Sequence, residues 1–262
     1  MIKWNPSEYD KNSAQLEKWA KDFVSKFALL GTERILDIGS GDGKITSEIS
    51  KSLTTGRITG IDSSEEMIEY SRKKFDKSHY PKLEFVLMDA RNVQFINEFG
   101  IVFSVATFHW LTDHKQLLEQ VKKVLKPSGK LFLQMGGYGN QQEMVDLVEK
   151  TSGNGKWRKY FDGFKFKYGY YSVEDYRKWI KETNLIEKRI ELVNLDNILK
   201  GKEGVEKWIK LAFSPYVQKL TDNEASEFID EITGKFTLTN KIDDKGNYHL
   251  GMIRLEVEAM KK

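Results

Sequence analysis

From Ser7 to about Leu29 the residues Tyr9, Leu16, Trp19, Phe23 and Phe27 recur at helical spacing among polar neighbours, which predicts one or two N-terminal helices. From Arg34 the rhythm changes, and short apolar or β-branched runs alternate with amphipathic ones. This alternation predicts strands at 34–38, 57–61, 83–88, 100–106 and 129–135, and helices at 43–53, 64–77 and 113–125. Strand and helix in turn are what a parallel sheet covered by helices requires. "LKPSG", Leu125 to Gly129, sets a helix end, a proline and a turn glycine directly ahead of a strand. After Met135 the regularity breaks into the loop "GGYGN", a predicted helix at 141–151 and an irregular aromatic stretch at 156–171. Ser172 then caps a predicted helix at 173–183, followed by a strand near 185–193 and helical periodicity over 203–233. The last run, "YHLGMIRLEVEAM", alternates like a strand, with Arg254, Glu256 and Glu258 expected on a solvated face.

Composition narrows the function classes. The chain has 262 residues, enough for one large α/β domain or a domain with a small cap, and its 42 Lys+Arg against 39 Asp+Glu is too even to mark a nucleic-acid scaffold. There is no cysteine, so disulfides, cysteine-ligated zinc and covalent cysteine catalysis are excluded together. The longest nearly uncharged run, "GIVFSVATFHWL", is too short and too polar for a membrane span, and the N-terminus lacks the apolar core of a secretory signal. The expectation is a cytoplasmic protein with no membrane span and no obligate protein partner. His79, His114 and His249 have no metal-ligand spacing and are expected at the surface, so no metal site is expected.

The candidate chemistry starts at "ILDIGSGDGKITSEI", Ile35 to Ile49. Its glycines fall at 39, 41 and 43, with Lys44 where a dinucleotide fingerprint has its third glycine, and no Ser or Thr follows the lysine as a Walker loop demands. Asp37 ahead of the loop would repel a diphosphate but suits a ligand with an ammonium group. S-adenosylmethionine is such a ligand. "GRITGIDSS" ends its strand at Asp62, where a carboxylate can accept from ribose hydroxyls, and "FVLMDA" ends at Asp89, placed to accept from an adenine amine. Three strands ending in carboxylates on one sheet edge are far more specific than one glycine loop.

"LDIGSGDGKIT", "GIDSSEEMI", "VLMDA", "FSVATFHWL" and "VLKPSGKLFL" resemble the successive motifs of the class I S-adenosylmethionine-dependent methyltransferases, over roughly residues 33–135. "FHWLTDH" followed by "LFLQM" is most similar to the trans-aconitate and juvenile hormone acid methyltransferases, which esterify carboxylates of small acids. "WNPSEYDKNSAQLEKW" resembles the helical lid of that group. The resemblance implies a Rossmann-like, seven-stranded, mostly parallel sheet with a reversed last strand, helices on both faces and a helical lid. The expected organisation is lid helices at 1–30, the cofactor-binding core at 31–137, an aromatic lid insertion at 138–171, and the rest of the core at 172–262 with a helical insertion near 200–235. The cofactor set expected on this basis is Asp37, Gly39, Ser40, Gly41, Asp62, Ser63, Met67, Asp89, Ala90 and Ala106. Ser40 stands where many members have cysteine, at a position that supplies mainly backbone.

For the acceptor, Gln15 and the indole N–H of Trp110 are expected to hold one carboxylate oxygen, with His109 and Tyr9 shaping the pocket. A carboxylate is ionised at neutral pH and needs no base, whereas phenols or amines more often do. His109 also leaves open a base for a hydroxyl or amine substrate. "KWRKYFDGFKFKYGYY", Lys156 to Tyr171, interleaves eight aromatics with five basic residues, which reads as a lid over a small molecule or as a platform for RNA. A small-molecule acceptor is the leading expectation and nucleic acid the weaker one. A non-catalytic cofactor-binding protein is the alternative from another class.

Overall fold

The computed structural model describes residues 3–12 and 14–262; positions 1, 2 and 13 of the predicted N-terminal helical segment lie outside the described residues. The chain forms two compact units. The larger comprises Trp4–Tyr138, Tyr168–Val193 and Arg254–Lys262, and the smaller contains Gly139–Lys167 and Asn194–Ile253 together with Lys3.

In the larger unit, the N-terminal periodicity forms two helices, α1 (Pro6–Asn12) and α2 (Ala14–Val24). The alternating core follows as β1 (Arg34–Ile38), α3 (Lys44–Lys51), β2 (Arg57–Asp62), α4 (Glu65–Lys74), β3 (Leu83–Leu87), β4 (Phe99–Val105), α5 (His114–Val124) and β5 (Leu125–Gly136). Beyond it lie α6 (Gln142–Ser152), α7 (Arg158–Phe161), α8 (Val173–Glu182), β6 (Leu185–Lys200), α9 (Gly201–Ala212), α10 (Ser214–Val217), α11 (Asp222–Thr239) and β7 (Asn247–Lys261). The seven strands run in the order β3-β2-β1-β4-β5-β7-β6, parallel from β3 through β5, with β7 antiparallel to β5. This is the Rossmann-like, doubly covered sheet that the pattern and the motifs imply. Four parallel crossovers bring the ends of β1, β2, β3 and β4 to one edge, where ligands bind in open α/β sheets.

Both sheet faces are buried. Phe23 and Phe27 pack with Ile35, Ile49, Ile58, Phe103 and Phe132 on one side, and Leu117, Leu118, Val121, Tyr176 and Ile180 pack with Leu36, Val102 and Leu133 on the other. Ser172 caps α8 through a reciprocal bond pair with Asp175, so that helix starts where the sequence placed it. "LKPSG" is part of β5 and not a turn before it. Phe99 pairs with Leu125 and Ile101 with Lys130, so the intervening residues bulge out, with Ser128 at φ 61°.

Two expectations fail here. Arg254 and Glu256 are buried at 7% and 4% exposure, and Glu258 is half-buried. Their face of β7 is covered, and the charges are held in a polar network: Gln134 Nε2 donates to Glu256 Oε1 at 3.0 Å, and Lys26 and Arg189 both reach Glu256 Oε2. His114 is not at the surface but fully buried, its ring bonded to the Tyr176 hydroxyl at 2.7 Å and to the Phe108 carbonyl at 2.8 Å. His79 and His249 are exposed.

The smaller unit has its own aromatic core. Trp157 packs edge-on against Phe228 at 5.0 Å, and Phe161 lies against Phe228 and Tyr216. Trp157 and Phe161 are 2% and 5% exposed, so these two rings of the 156–171 stretch are packing residues and present no face to a nucleic-acid base. Among the described residues no helix is long and apolar enough to cross a membrane.

Candidate functional site

The glycine loop is folded by its own backbone. Gly39 and Ser40 N–H both donate to the Ile61 carbonyl, at 2.8 and 3.0 Å, and Gly43 N–H closes back on Ser40 O at 3.0 Å. Gly39 needs its missing side chain twice over: φ is 79°, and a Cβ there would lie 2.1 Å from Thr107 Oγ1. Gly41 has φ 53°, but a Cβ would meet none of the described residues within 4 Å. The space beside it is where a ligand would pass closest to the chain.

Two cavities flank the loop. The larger, about 140 Å³, is lined by Trp4, Tyr9, Gly39, Gly41, Asp62, Ser63, Met67, Asp89, Ala90, Ala106 and Trp110, with Met88, Arg91, Thr107 and Leu111 among its other walls. The smaller, about 60 Å³, is lined by Asp37, Ser40, Asp42 and Lys44 under Tyr9, Leu16, Glu17 and Ala20. All ten cofactor residues expected from the sequence therefore line one cavity or the other. Tyr9 borders both, and Trp110 the larger.

The carboxylates differ in environment. Asp62 is bracketed by backbone, Oδ2 accepting from Gly41 N–H at 3.0 Å and Oδ1 from Ser64 N–H at 2.9 Å. Burial pushes its pKa up all the same. Asp37 is 3% exposed, accepts from Thr46 Oγ1 at 2.7 Å, and has its pKa raised to about 7 by burial, with the Asp62 charge adding to it. Asp42 is raised by burial too; among the described residues its Oδ2 has no hydrogen bond, with Lys44 Nζ 3.5 Å away, and the buried Ser40 Oγ has none either. Asp89 accepts from Arg91 N–H at 2.8 Å and pairs with the Arg91 guanidinium, which holds its carboxyl below the usual range.

Buried carboxylates with raised pKa values suit a ligand with a cationic end. The backbone-clamped Asp62 keeps lone pairs for hydroxyl donors. Apolar Met67, Ala90 and Leu111 provide walls for a flat ring. The residues thus fit the amino-acid, ribose and adenine parts of S-adenosylmethionine.

The N-terminal helices are tied over this loop by charge. Lys44 Nζ lies 2.5 Å from Asp10 Oδ1, 3.4 Å from Glu17 Oε2 and 3.5 Å from Asp42 Oδ2, and Asp10 is also reached by Lys74 and the Tyr70 hydroxyl. Those partners hold the Asp10 carboxyl well below the usual carboxylate range, with the Lys44 bond the largest cause. Burial raises the Tyr9 phenol, helped by Asp42 and Asp62, so Tyr9 keeps its proton at neutral pH.

His109 Nδ1 accepts from Gly136 N–H at 3.3 Å, and burial lowers the ring's pKa to about 3, with His114 and Arg254 contributing. That bond assigns the proton of the neutral ring to Nε2. Around it, Trp4 sits edge-on to Tyr9 and Trp110 at 6.0 and 5.1 Å, and Tyr168 stacks on Tyr170 at 5.0 Å. Gln15 is half-buried on α2 but lines neither cavity; its neighbours Leu16 and Glu17 do. Among the described residues no three His, Asp or Glu side chains gather as a metal site.

Sequence reasoning missed Trp4, Asp42, Lys44 as a lid anchor, Arg91 and Thr107. Asp42, between the second and third glycines, was legible as a fourth acid on the same edge. Trp4 was not, because a lone aromatic ahead of a helix has no periodicity to interpret.

A methyltransferase domain family matches residues 35–129. The chain is 36% identical to the trans-aconitate 2-methyltransferase of Escherichia coli over 135 residues, 52% of each chain, so it spans about half the length of that relative. It is 24% identical to an inferred methyltransferase of Invertebrate iridescent virus 6 over 89% of this chain and 85% of that one. Among solved structures, it is similar to Haemonchus contortus phosphoethanolamine N-methyltransferase 2, bound to phosphomonomethylethanolamine and S-adenosylhomocysteine. The TM-score there is 0.62, at 20% identity over 98% of this chain and 57% of that one, a likeness of fold.

Proposed function

We propose that this chain, which belongs to the class I S-adenosylmethionine-dependent methyltransferases, methylates a carboxylate oxygen of a small organic acid. Its cofactor is S-adenosyl-L-methionine, which when bound supplies a sulfonium methyl electrophilic enough to need alignment more than activation. In this reading Asp37, Ser40, Asp42 and the glycine-loop backbone hold the cofactor's amino-acid end. Asp62 and Ser63 hold its ribose, Met67, Asp89 and Ala90 border its adenine, and Ala106 borders the methyl-bearing end.

One observation carries the choice of acceptor. His109, the nearest residue type to a base, has Nδ1 occupied by the Gly136 N–H and is held neutral by burial, so it donates from Nε2 and accepts no proton at physiological pH. Asp37, whose pKa is also near neutrality, is committed in this reading to the cofactor's ammonium, so a phenol, alcohol or protonated amine would have to lose its proton to His109, whereas a carboxylate is already ionised. The protonated Tyr9 phenol takes the donor role that the sequence assigned to Gln15, beside Trp110. Trp4, Tyr9 and Trp110 together keep water from the reacting atoms. The name of the Escherichia coli relative, a trans-aconitate methyltransferase, points the same way.

The test is a mass-spectrometric screen with S-adenosylmethionine against panels of organic acids, amines, phenols and RNA oligonucleotides. Methylated product among the acids is expected. Product confined to amines, phenols or RNA would overturn the proposal.

A further inference from the structure

At the opposite edge of the sheet from the glycine loop, where β1, β2 and β3 begin, lies a cavity of about 430 Å³. β1 runs from Arg34 to Ile38, so a strand length, roughly 16 Å, separates this cavity from the cofactor loop. Its walls are tied at the backbone. The Gly31 carbonyl accepts from the N–H groups of Thr54, Thr55 and Gly56 at 2.8, 3.2 and 2.9 Å, which joins the approach to β1 to the approach to β2. Ahead of β3, Ile58 N–H donates to the Lys82 carbonyl at 2.9 Å.

Four basic side chains, Arg34, Arg57, Lys77 and Lys82, line the cavity, with Glu84 the one acid among its lining residues. Arg34 and Arg57 are register partners on adjacent parallel strands, about 4.8 Å apart, so their side chains leave the same face of the sheet. Arg34 pairs with Glu98, and Lys82 Nζ donates to the Leu53 carbonyl. Among the described residues the exposed side chains of Arg57 and Lys77 have no hydrogen bond or ion pair. With Glu84 and Glu98 set against the four cations, the cavity keeps an excess of two positive charges.

Thr59 is not a surface group. It is 8% exposed, lines the cavity on the same sheet face as Arg57, and among the described residues its hydroxyl has no hydrogen bond. Buried hydroxyls are normally bonded, because leaving water without a partner costs free energy. A hydroxyl so placed beside unpaired cations is set to donate to an anion. The planar fork of arginine and a hydroxyl donor suit the several oxygens of a phosphate, and the charge excess matches its dianion. The volume is that of a small-molecule site, larger than a bare phosphate needs, and Pro81 and Leu83 offer an apolar wall to the rest of the ligand.

We propose that this cavity is a second ligand site, separate from the methyl-transfer site, which binds the phosphate group of a small phosphorylated molecule through Arg57, Lys77 and Thr59. The assignment rests on nothing assumed about the methyl acceptor.

The experiment titrates the full chain, saturated with S-adenosylhomocysteine so that the cofactor cavities are filled, by calorimetry at constant ionic strength. The probes are ribose 5-phosphate, inorganic phosphate, acetate and an RNA oligonucleotide without terminal phosphates. Ribose 5-phosphate and inorganic phosphate are expected to bind more tightly than acetate. Arg57→Gln should weaken both about 30-fold, and Thr59→Val, which alters no charge, about 10-fold, with S-adenosylhomocysteine affinity unchanged in each variant. Should T59V lose S-adenosylhomocysteine binding through misfolding, R57Q and K77Q, which alter only exposed side chains, decide. Phosphate binding no tighter than acetate, or equally tight in wild type and the variants, would overturn the assignment. So would an oligonucleotide that binds more tightly than ribose 5-phosphate and depends on Arg57, which would make the groove a nucleic-acid backbone site.

Discussion

Replacing Asp37 by asparagine is expected to move stability and cofactor affinity in opposite directions. The carboxyl is 3% exposed and titrates near 7 in the folded chain, against 3.8 for the free side chain. Between those values the folded state holds a proton that the unfolded state has lost, so stability falls as pH rises and the loss is complete above pH 7. Roughly three pKa units at about 1.4 kcal/mol each put the penalty near 4 kcal/mol at pH 8, or roughly 10 °C in Tm for a chain of this size. The substituted amide has no charge to bury and keeps an acceptor for Thr46. D37N should thus match wild type near pH 4 and gain about 1.4 kcal/mol on it per pH unit up to neutrality. A cationic ligand, by contrast, requires the ionised carboxylate, so binding of S-adenosylhomocysteine to wild type should release a proton near pH 7. In D37N that release disappears and affinity drops about 10- to 100-fold. Urea unfolding of the ligand-free chain from about pH 4 to pH 8, with calorimetry in buffers of different ionisation enthalpy, reads both effects. A stability difference independent of pH, or unchanged affinity in D37N, would refute the reasoning.

Other expectations follow from the same geometry. Gly39→Ala drives a methyl into Thr107 at positive φ and should cost about 2–4 kcal/mol in urea unfolding. Gly41→Ala meets none of the described residues, so it should cost only about 1 kcal/mol of stability while weakening cofactor binding. Asp10→Asn removes the main partner of Lys44 and Lys74 and should lower stability by about 1–2 kcal/mol at neutral pH. Because the Asp10 pKa is depressed, that difference should shrink as pH falls through the carboxylate range. With cofactor saturating, kcat should be flat from about pH 5 to pH 8, since His109 stays neutral throughout; an ionisation near pH 6.5 would show that it titrates.

The parts of the fold that follow local rules were readable in the sequence. Asp37, Asp62 and Asp89 lie at or just beyond the ends of short runs whose alternation with helices marks parallel strands, so their shared edge followed from alternation and chain-crossing rules. What the sequence could not carry was which face of an element meets which partner. Arg254, Glu256 and Glu258 alternate as a solvated face does, and only the packing of Trp19 and Lys26 of the N-terminal segment over β7 makes that face interior. Gln15 and Leu16 are one residue apart, and helix phase against the cavity, fixed by tertiary packing, turns Leu16 and Glu17 to it instead. His114 is a lone polar residue whose burial depends on Tyr176, far along the chain, as its hydrogen-bond partner.

Methyl transfer to a carboxylate oxygen needs no protein base, and its product is a methyl ester. Its most direct test is the alkali lability of the product formed from S-adenosylmethionine carrying a tritiated methyl group. Treatment of the product with mild base should release the label as volatile methanol, as a methyl ester must. Label that stays bound through alkali would place the methyl on nitrogen or an ether oxygen and contradict the account.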